Sequence, residues 1–398
     1  MKIVVAIDSF KGSLSSIEAG EAAKKGILKA IPEAEVIVRP LADGGEGTVE
    51  ALTFGMGGKL VTVKVTGPLG KKVECSYGII ESQKMSAMVE DNENEKEQKA
   101  AGKTAVIEMS GAAGITLVLE ADRNPLHTTT YGVGEVIKDA ISKGCRHFII
   151  GIGGSATNDG GIGMLQALGY GILDKEGNQV SFGAKGLKEI ETITDDNVIP
   201  ELKDCIFRVA CDVTNPLCGE VGCSAVFGPQ KGADPAMIVQ MDKWLSNYAK
   251  LTSEKYEKAD EKYPGTGAAG GLGFAFLSYT NAVLESGIKI ILEETKLEDY
   301  VKDADMVVTG EGRLDGQTIF GKAPIGVAKM AKKYNKKVIA FAGAVTEEAN
   351  VCNEHGIDAF FPILRNIQTL DEAIIPENAK NNMISSVEQV FRLFNIKI

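Results

Sequence analysis

The residues Ile3–Ile7 form an uninterrupted apolar run near the start of the chain. Such a run fits a strand buried on both faces of a parallel sheet. A polar loop, Asp8–Ser16, follows. Over Ile17–Ala30 the residues Ala19, Ala22, Ala23, Ile27 and Leu28 then recur at helical spacing. Val36–Val38 reads as a second strand, and Thr48–Leu52 as the start of a second helix. Strand and helix in alternation predict an open α/β sheet.

Beyond Gly57-Gly58 the rhythm changes. Leu60–Val65, Val73–Ile80 and Thr104–Met109 read as strands with no helix between them, and Gly67-Pro68-Leu69-Gly70 predicts a hairpin joining the first two. The segment Glu81–Lys103, dense in Glu, Lys, Asn and Gln, predicts a solvated loop. A helix over Gly134–Ser142, a strand over His147–Ile150 and a helix over Gly161–Leu168 restore the alternation. Gly171–Leu173 and Phe207–Val209 are further strands, and Met237–Leu251 is a helix that places Trp244 in the core. Near the end, Met306–Val308, Val338–Ala342 and Ala359–Phe361 read as strands, with helices over Ile325–Lys333, Glu347–His355 and Asn382–Phe394. One rhythm at both ends and another between them predict a discontinuous parallel α/β domain of residues 1–58 and 287–398. Residues 59–286 are then an inserted mixed α/β domain. A ligand is expected in the cleft, at the carboxyl ends of the strands.

Composition narrows the function classes. The chain has 398 residues, 44% hydrophobic and 24% charged, enough to build a large core without staples. A net charge of −11 argues against nucleic-acid or anionic-membrane partners. Seven cysteines in no regular framework fit reduced thiols and a cytoplasmic setting, and three histidines leave little scope for a His-rich metal site. MKIVVAIDSF reads as a strand rather than a signal peptide, and Gly267–Leu284 is too interrupted by polar residues and glycine to cross a membrane.

Many of the 46 glycines fall in polar loops that follow strands or open helices. There, and in the GAAGGLG segment, they are expected to let the backbone approach a ligand closely. In the first loop Asp8, Ser9, Lys11 and Ser13 precede a helix N-terminus, which favours an anion. In the second, Asp43 and Glu46 flank Gly44 and Gly45, a pattern suited to Mg²⁺ or to a base for a hydroxyl group. The third runs from Gly151 to Gly161 and offers Gly153, Gly154, Ser155, Thr157 and Asn158 as a phosphate cradle. Gly151, Gly153 and Ala156 also fit G-x-G-x-x-A with Asp174 downstream. However, Asn158-Asp159-Gly160-Gly161 places turn formers where a dinucleotide-binding helix should already run. The fourth runs from Ala210 to Leu217, with Asp212 at the end of a strand and Asn215 after it, and Lys231 adds a cation in the loop beyond. The fifth carries Glu311, Arg313 and Asp315. Its Gly316–Lys322 matches G-x-x-x-x-G-K, but Ala323 stands where a P-loop needs a hydroxyl for Mg²⁺. Three classes fit these loops: a phosphotransferase, a nicotinamide-dependent oxidoreductase of hydroxy acids, and a sensor of a phosphorylated metabolite.

In order along the chain, DSFKGSLSS (Asp8–Ser16), PLADGGEGT (Pro40–Thr48), GIGGSATNDGG (Gly151–Gly161), NPL with VFGPQKGA (Asn215–Ala233), GAAGGLGF (Gly267–Phe274) and TGEGRLDGQT with GKAP (Thr309–Pro324) resemble the bacterial glycerate kinase family. The resemblance implies ATP-dependent phosphorylation of D-glycerate with Mg²⁺. The expected product is 2-phosphoglycerate, with 3-phosphoglycerate as the alternative. It also implies a flavodoxin-like domain holding both termini and an inserted domain akin to restriction-enzyme folds. In such a kinase Lys11 and Arg313 are candidates for phosphate or the glycerate carboxylate. Asp43, Asp159, Asp212 and Asp315 are candidates for Mg²⁺ and for orienting the hydroxyl, with Asp159 and Asp212 as the metal ligands. The amides of Gly153–Ser155 and the hydroxyls of Ser155 and Thr157 would hold phosphate oxygens.

Overall fold

Both faces of strand β1 (Lys2–Ile7) carry apolar side chains, and all but its first residue are buried. The chain then enters the helix Ser16–Ala30, in this computed structural model describing residues 1–81, 102–394 and 396. A capping box sets where that helix begins. The Ser15 hydroxyl accepts from the Glu18 amide, and the Glu18 carboxylate accepts from the Ser15 amide. Next come β2 (Glu35–Val38) and the helix Thr48–Gly55. The middle of the chain supplies β3 (Lys59–Thr66), β4 (Lys72–Ile80), β5 (Lys103–Glu108), β6 (Cys145–Gly151), β7 (Gly171–Leu173), β8 (Thr192–Thr194), β9 (Ile206–Ala210) and β10 (Ala282–Glu285). The chain closes with β11 (Met306–Leu314), β12 (Lys337–Val345), β13 (Ala359–Pro362) and a long helix, Pro376–Phe394.

The chain divides into two compact units. One comprises Met1–Asp43, Glu50–Met56 and Ser286–Ile398; the other comprises Gly44–Val49 and Gly57–Glu285. The first contains a five-stranded sheet, ordered β13-β12-β11-β1-β2, in which every pairing is parallel. This is the doubly wound order of flavodoxin-like folds, with its switch point between β1 and β11. Its core packs Ile3, Val5 and Ile7 against Ala22 and Ile27 of the first helix and Val387 and Phe391 of the last.

The second unit holds a six-stranded mixed sheet, β10-β9-β6-β5-β4-β3. The β3–β4 hairpin closes at Gly67–Gly70, where the Gly70 amide donates to the Gly67 carbonyl at 3.0 Å. Strands β5, β6, β9 and β10 run parallel, and Phe148 stacks on Phe207 at 4.7 Å between ring centroids.

Several elements differ from the sequence expectation. The helix before β6 starts at Tyr131, three residues early, because buried threonines fix the chain just ahead of it. The helix bearing Trp244 runs over Pro235–Lys255, and Trp244 packs half-buried at the core margin. Glu347–His355 is a 3₁₀ turn followed by one α turn, and the final helix begins at Pro376. Lys103 opens β5, while residues 82–101 of the expected solvated loop lie outside the described residues. The GAAGGLG segment opens the helix Ala268–Tyr279 and packs closely against neighbouring backbone. Gly270 has φ +67°, a Cβ there would overlap the Thr157 carbonyl, and its own carbonyl accepts from the Gly160 amide at 2.9 Å. No helix of the described residues is long and apolar enough to cross a membrane.

Candidate active site

The polar loop after β1 is folded on two buried apolar anchors. Phe10 and Leu14 exchange backbone hydrogen bonds of 2.8 and 3.0 Å, and Gly12, at φ +74°, makes the turn between them. Lys11 is thereby turned outward and exposed, while Asp8 stays buried at the strand end. The neighbouring strand β11 ends in Glu311–Leu314, and Asp315 and Lys322 follow it. At this switch point a cavity of about 400 Å³ opens within the first unit. Asp8, Ser9, Lys11, Ser13, Asp43, Glu311, Arg313 and Asp315, all sequence candidates, line it together. The Ser13 hydroxyl is buried with no hydrogen-bond partner among the described residues.

Its carboxylates are electrostatically uneven. Burial, together with the charges of Asp43 and Glu311, pushes Asp8 up to about 7, against the partial relief of the Ser9 amide and Lys11. Burial also raises Glu311, although Lys322 and a 2.9 Å hydrogen bond from Thr318 oppose it. Asp315 goes the other way. Its burial is outweighed by Lys322 at 3.4 Å, the Gln317 amide at 3.0 Å and Arg313, which hold it below the usual carboxylate range. Lys322, which the sequence marks only as the last residue of an incomplete P-loop pattern, lies within 3.7 Å of Glu311 and 3.4 Å of Asp315 and joins the site only through the fold.

The candidates of the second unit are mostly engaged with one another. Lys231 is buried, and its ammonium donates to the Ser155 hydroxyl at 2.8 Å and the Thr157 carbonyl at 2.6 Å. Burial pulls its pKa down to about 8, with the charges of Cys223 and Asp159 resisting. Asp159 is fully buried. Its Oδ2 accepts from the amide and hydroxyl of Thr130 at 2.8 and 2.9 Å, and its Oδ1 from the Gly161 amide at 3.1 Å. Asn158 donates to Ser224, and Asn215 to the Val221 carbonyl, so both tie loops together. The Thr157 hydroxyl and the Asn158 amide oxygen are buried with no partner among the described residues. Asp212 and Glu46 are exposed, as are Gly153 and Gly154. Asp174 accepts from the Glu176 and Asn178 amides in a surface turn, and no helix starts until Ile162, so the dinucleotide pattern at Gly151–Ala156 has no structural counterpart.

Two groups here had little sequence signal. Glu108, at the end of β5, accepts from the Val49 amide at 2.8 Å and also from the amides of Gly47 and Thr48. This bonding joins the Gly44–Val49 segment, with candidates Gly44, Gly45 and Glu46, to the second unit. Thr128–Thr130 are all buried; Thr128 donates to the Ala156 carbonyl at 2.8 Å and Thr130 links Asp159 to the Met164 amide. Their run of three hydroxyls before a glycine-containing helix was the only available clue.

The metal expectation can be set against these donors. Among the described residues, no group of three or more His, Cys, Asp or Glu side chains could hold a metal ion alone. The oxygens of Asp159 are already filled by donors of its own chain, which does not fit a ligand role. Asp43 and Glu311, in the cavity of the first unit, fit better, since Mg²⁺ commonly takes one or two carboxylates and completes its shell with waters and substrate phosphates.

The glycerate kinase family profile matches residues 3–395. The chain is 48% identical to a protein of Escherichia coli (strain K12) named glycerate 2-kinase, over 94% of this chain and 93% of that one. It is 46% identical to a glycerate kinase of Haemophilus influenzae over 100% of both chains. A solved crystal structure from Salmonella typhimurium LT2, provisionally described as glycerate kinase 2, superposes with a TM-score of 0.87, at 44% identity and over 99% of this chain and 98% of that one. The chain belongs to the glycerate kinase family and is a phosphotransferase.

Proposed function

We propose that this enzyme transfers the γ-phosphoryl group of ATP to the 2-hydroxyl of D-glycerate, giving 2-phosphoglycerate. The observation that carries this reading is the switch-point cavity, where a carboxylate poised near neutrality sits among Lys11, Arg313 and Lys322. Phosphoryl transfer asks a protein chiefly for positioning and charge neutralisation. The three cations supply the second, and Arg313 can grip two oxygens at once. Asp8 is the base we assign to the hydroxyl proton, because it is the buried carboxylate at the end of β1 that lines the cavity, and burial favours its taking up a proton. Asp43 and Glu311 are the side chains we assign to Mg²⁺, which when bound offsets the negative charge of the phosphates. The name of the Escherichia coli relative supports position 2 over position 3.

In the second unit we assign Asp159, Asn158 and Lys231 to holding the Gly151–Gly161 loop in shape. The exposed Gly153–Gly154 backbone remains its element suited to an anion. Asp212 and Asn215 receive no role in the chemistry.

An assay coupling ADP release to D-glycerate and ATP, followed by phosphorus NMR of the product, tests the function. The expected result is ADP formation that depends on glycerate, with phosphorus on the 2-oxygen. Phosphorus on the 3-oxygen would change the regiochemistry, and no ADP would sink the proposal. Lys322→Ala is expected to lower kcat/KM by about 10²-fold, with Lys322→Arg recovering part of it, as steady-state kinetics would read.

A further inference from the structure

We propose that the apolar wall of the switch-point cavity, formed by Ile363, Leu364, Leu370 and Ile374, holds the purine base of the nucleotide, with the polar end of the same cavity taking its phosphates. This rests on the reading of the enzyme as an ATP-using kinase and says which substrate the first unit binds.

Ile363 is buried in the core, while Leu364, Leu370 and Ile374 present apolar surface that the fold itself does not cover. Leu370 is 73% exposed and Ile374 37% exposed. Glycerate, a small polyhydroxy acid, has no face to bury there, whereas a purine has two. Ligand pockets commonly pair such an apolar lining with a few placed polar groups.

The spacing also fits. Ile363 directly follows β13, and β12 lies between β13 and β11, the strand that carries Glu311. Two strand spacings separate Ile363, where the wall segment begins, from Glu311 by roughly 10 Å. That is the reach from a purine to the terminal phosphates of a nucleotide. The position agrees with the general rule that doubly wound sheets bind ligands at the switch point.

The wall is held in place by its own bonds. Thr369 and Glu372 form a capping box, with the Thr369 amide donating to the Glu372 carboxylate at 2.9 Å. Asn378 ties the Glu372 carbonyl to the last helix at 2.9 Å, and Ser386 of that helix donates to the Ile363 carbonyl at 3.0 Å. A preformed wall needs little ordering when the base arrives.

The test is calorimetric titration of ADP with Mg²⁺ into the wild-type protein and into Leu370→Glu and Ile374→Glu, with ATP and glycerate KM values for each. Leu370 is mostly exposed, so its substitution leaves the core intact, and Ile374→Glu is an independent second probe. Each variant is expected to weaken ADP binding about tenfold or more while leaving the glycerate KM unchanged. Photolabelling of the wild type with 8-azido-ADP is expected to mark the peptide spanning residues 363–379. Unchanged ADP affinity in both variants, a rise in glycerate KM alone, labelling elsewhere, or no ADP binding to the wild type would each overturn the assignment. If ADP binds the wall but glycerate is not phosphorylated, the substrate reading fails and this assignment stands. If glycerate is phosphorylated but ADP binds both variants as tightly as the wild type, only this assignment fails.

Discussion

Asp8→Asn is expected to make the protein more heat-stable at pH 8 and nearly inactive. The ordinary carboxylate value is 3.8, and in the folded chain burial, Asp43 and Glu311 push Asp8 up to about 7. The folded state therefore holds a proton between these values that the unfolded chain has released. The contribution of Asp8 to stability is fully present below about pH 3.8, is lost steadily as pH rises from there to 7, and above that leaves a charge buried at a cost of up to roughly 4 kcal/mol. An asparagine removes that charge. The melting temperature at pH 8 should rise by several degrees, the gain should shrink to roughly a third near pH 5, and it should vanish below about pH 4, where the wild-type residue is neutral in both the folded and the unfolded chain. Scanning calorimetry at these pH values checks this. A difference that does not change with pH would show that Asp8 is not perturbed in this way. Turnover should fall by about 10²–10⁴-fold, the usual contribution of a positioned base.

Asp159→Ala is expected to cause the largest loss of stability among the site candidates. Its carboxylate satisfies the Thr130 amide, the Thr130 hydroxyl and the Gly161 amide, all inside the second unit and away from water. The truncation strands these donors and opens a small void. Each buried donor left without a partner costs about 1–3 kcal/mol, so the sum is on the order of 4 kcal/mol. The Lys231 ammonium also loses one of the charges that favour its protonated form, so its pKa should fall further. Urea denaturation would read the loss as a lower midpoint with an unchanged slope. A stability within about 1 kcal/mol of wild type, with turnover abolished, would return Asp159 to the chemistry and overturn the framework role.

These two aspartates look alike in sequence: each follows a strand or a turn and sits among glycines and hydroxyl residues. The difference between them comes from neighbours far away in the chain. Asp8 faces Glu311, from the strand that pairs with its own at the opposite end of the sequence. Asp159 meets Thr130, and Lys231 meets Ser155, across stretches that no local pattern spans.

What the sequence determined alone was the alternation of strands and helices, the polar glycine-rich loops and their order along the chain. Those features are local: period, cap and turn are written within a few residues. They were enough to identify the family and to place eight of the candidates that the first unit gathers in one cavity. The tertiary structure alone decided which carboxylate lies buried among like charges, which is filled by donors of its own chain, and where an apolar wall is left uncovered. Desolvation and hydrogen bonding depend on what packs around a group in space, and the nearest atoms in space here come from residues far apart in the chain.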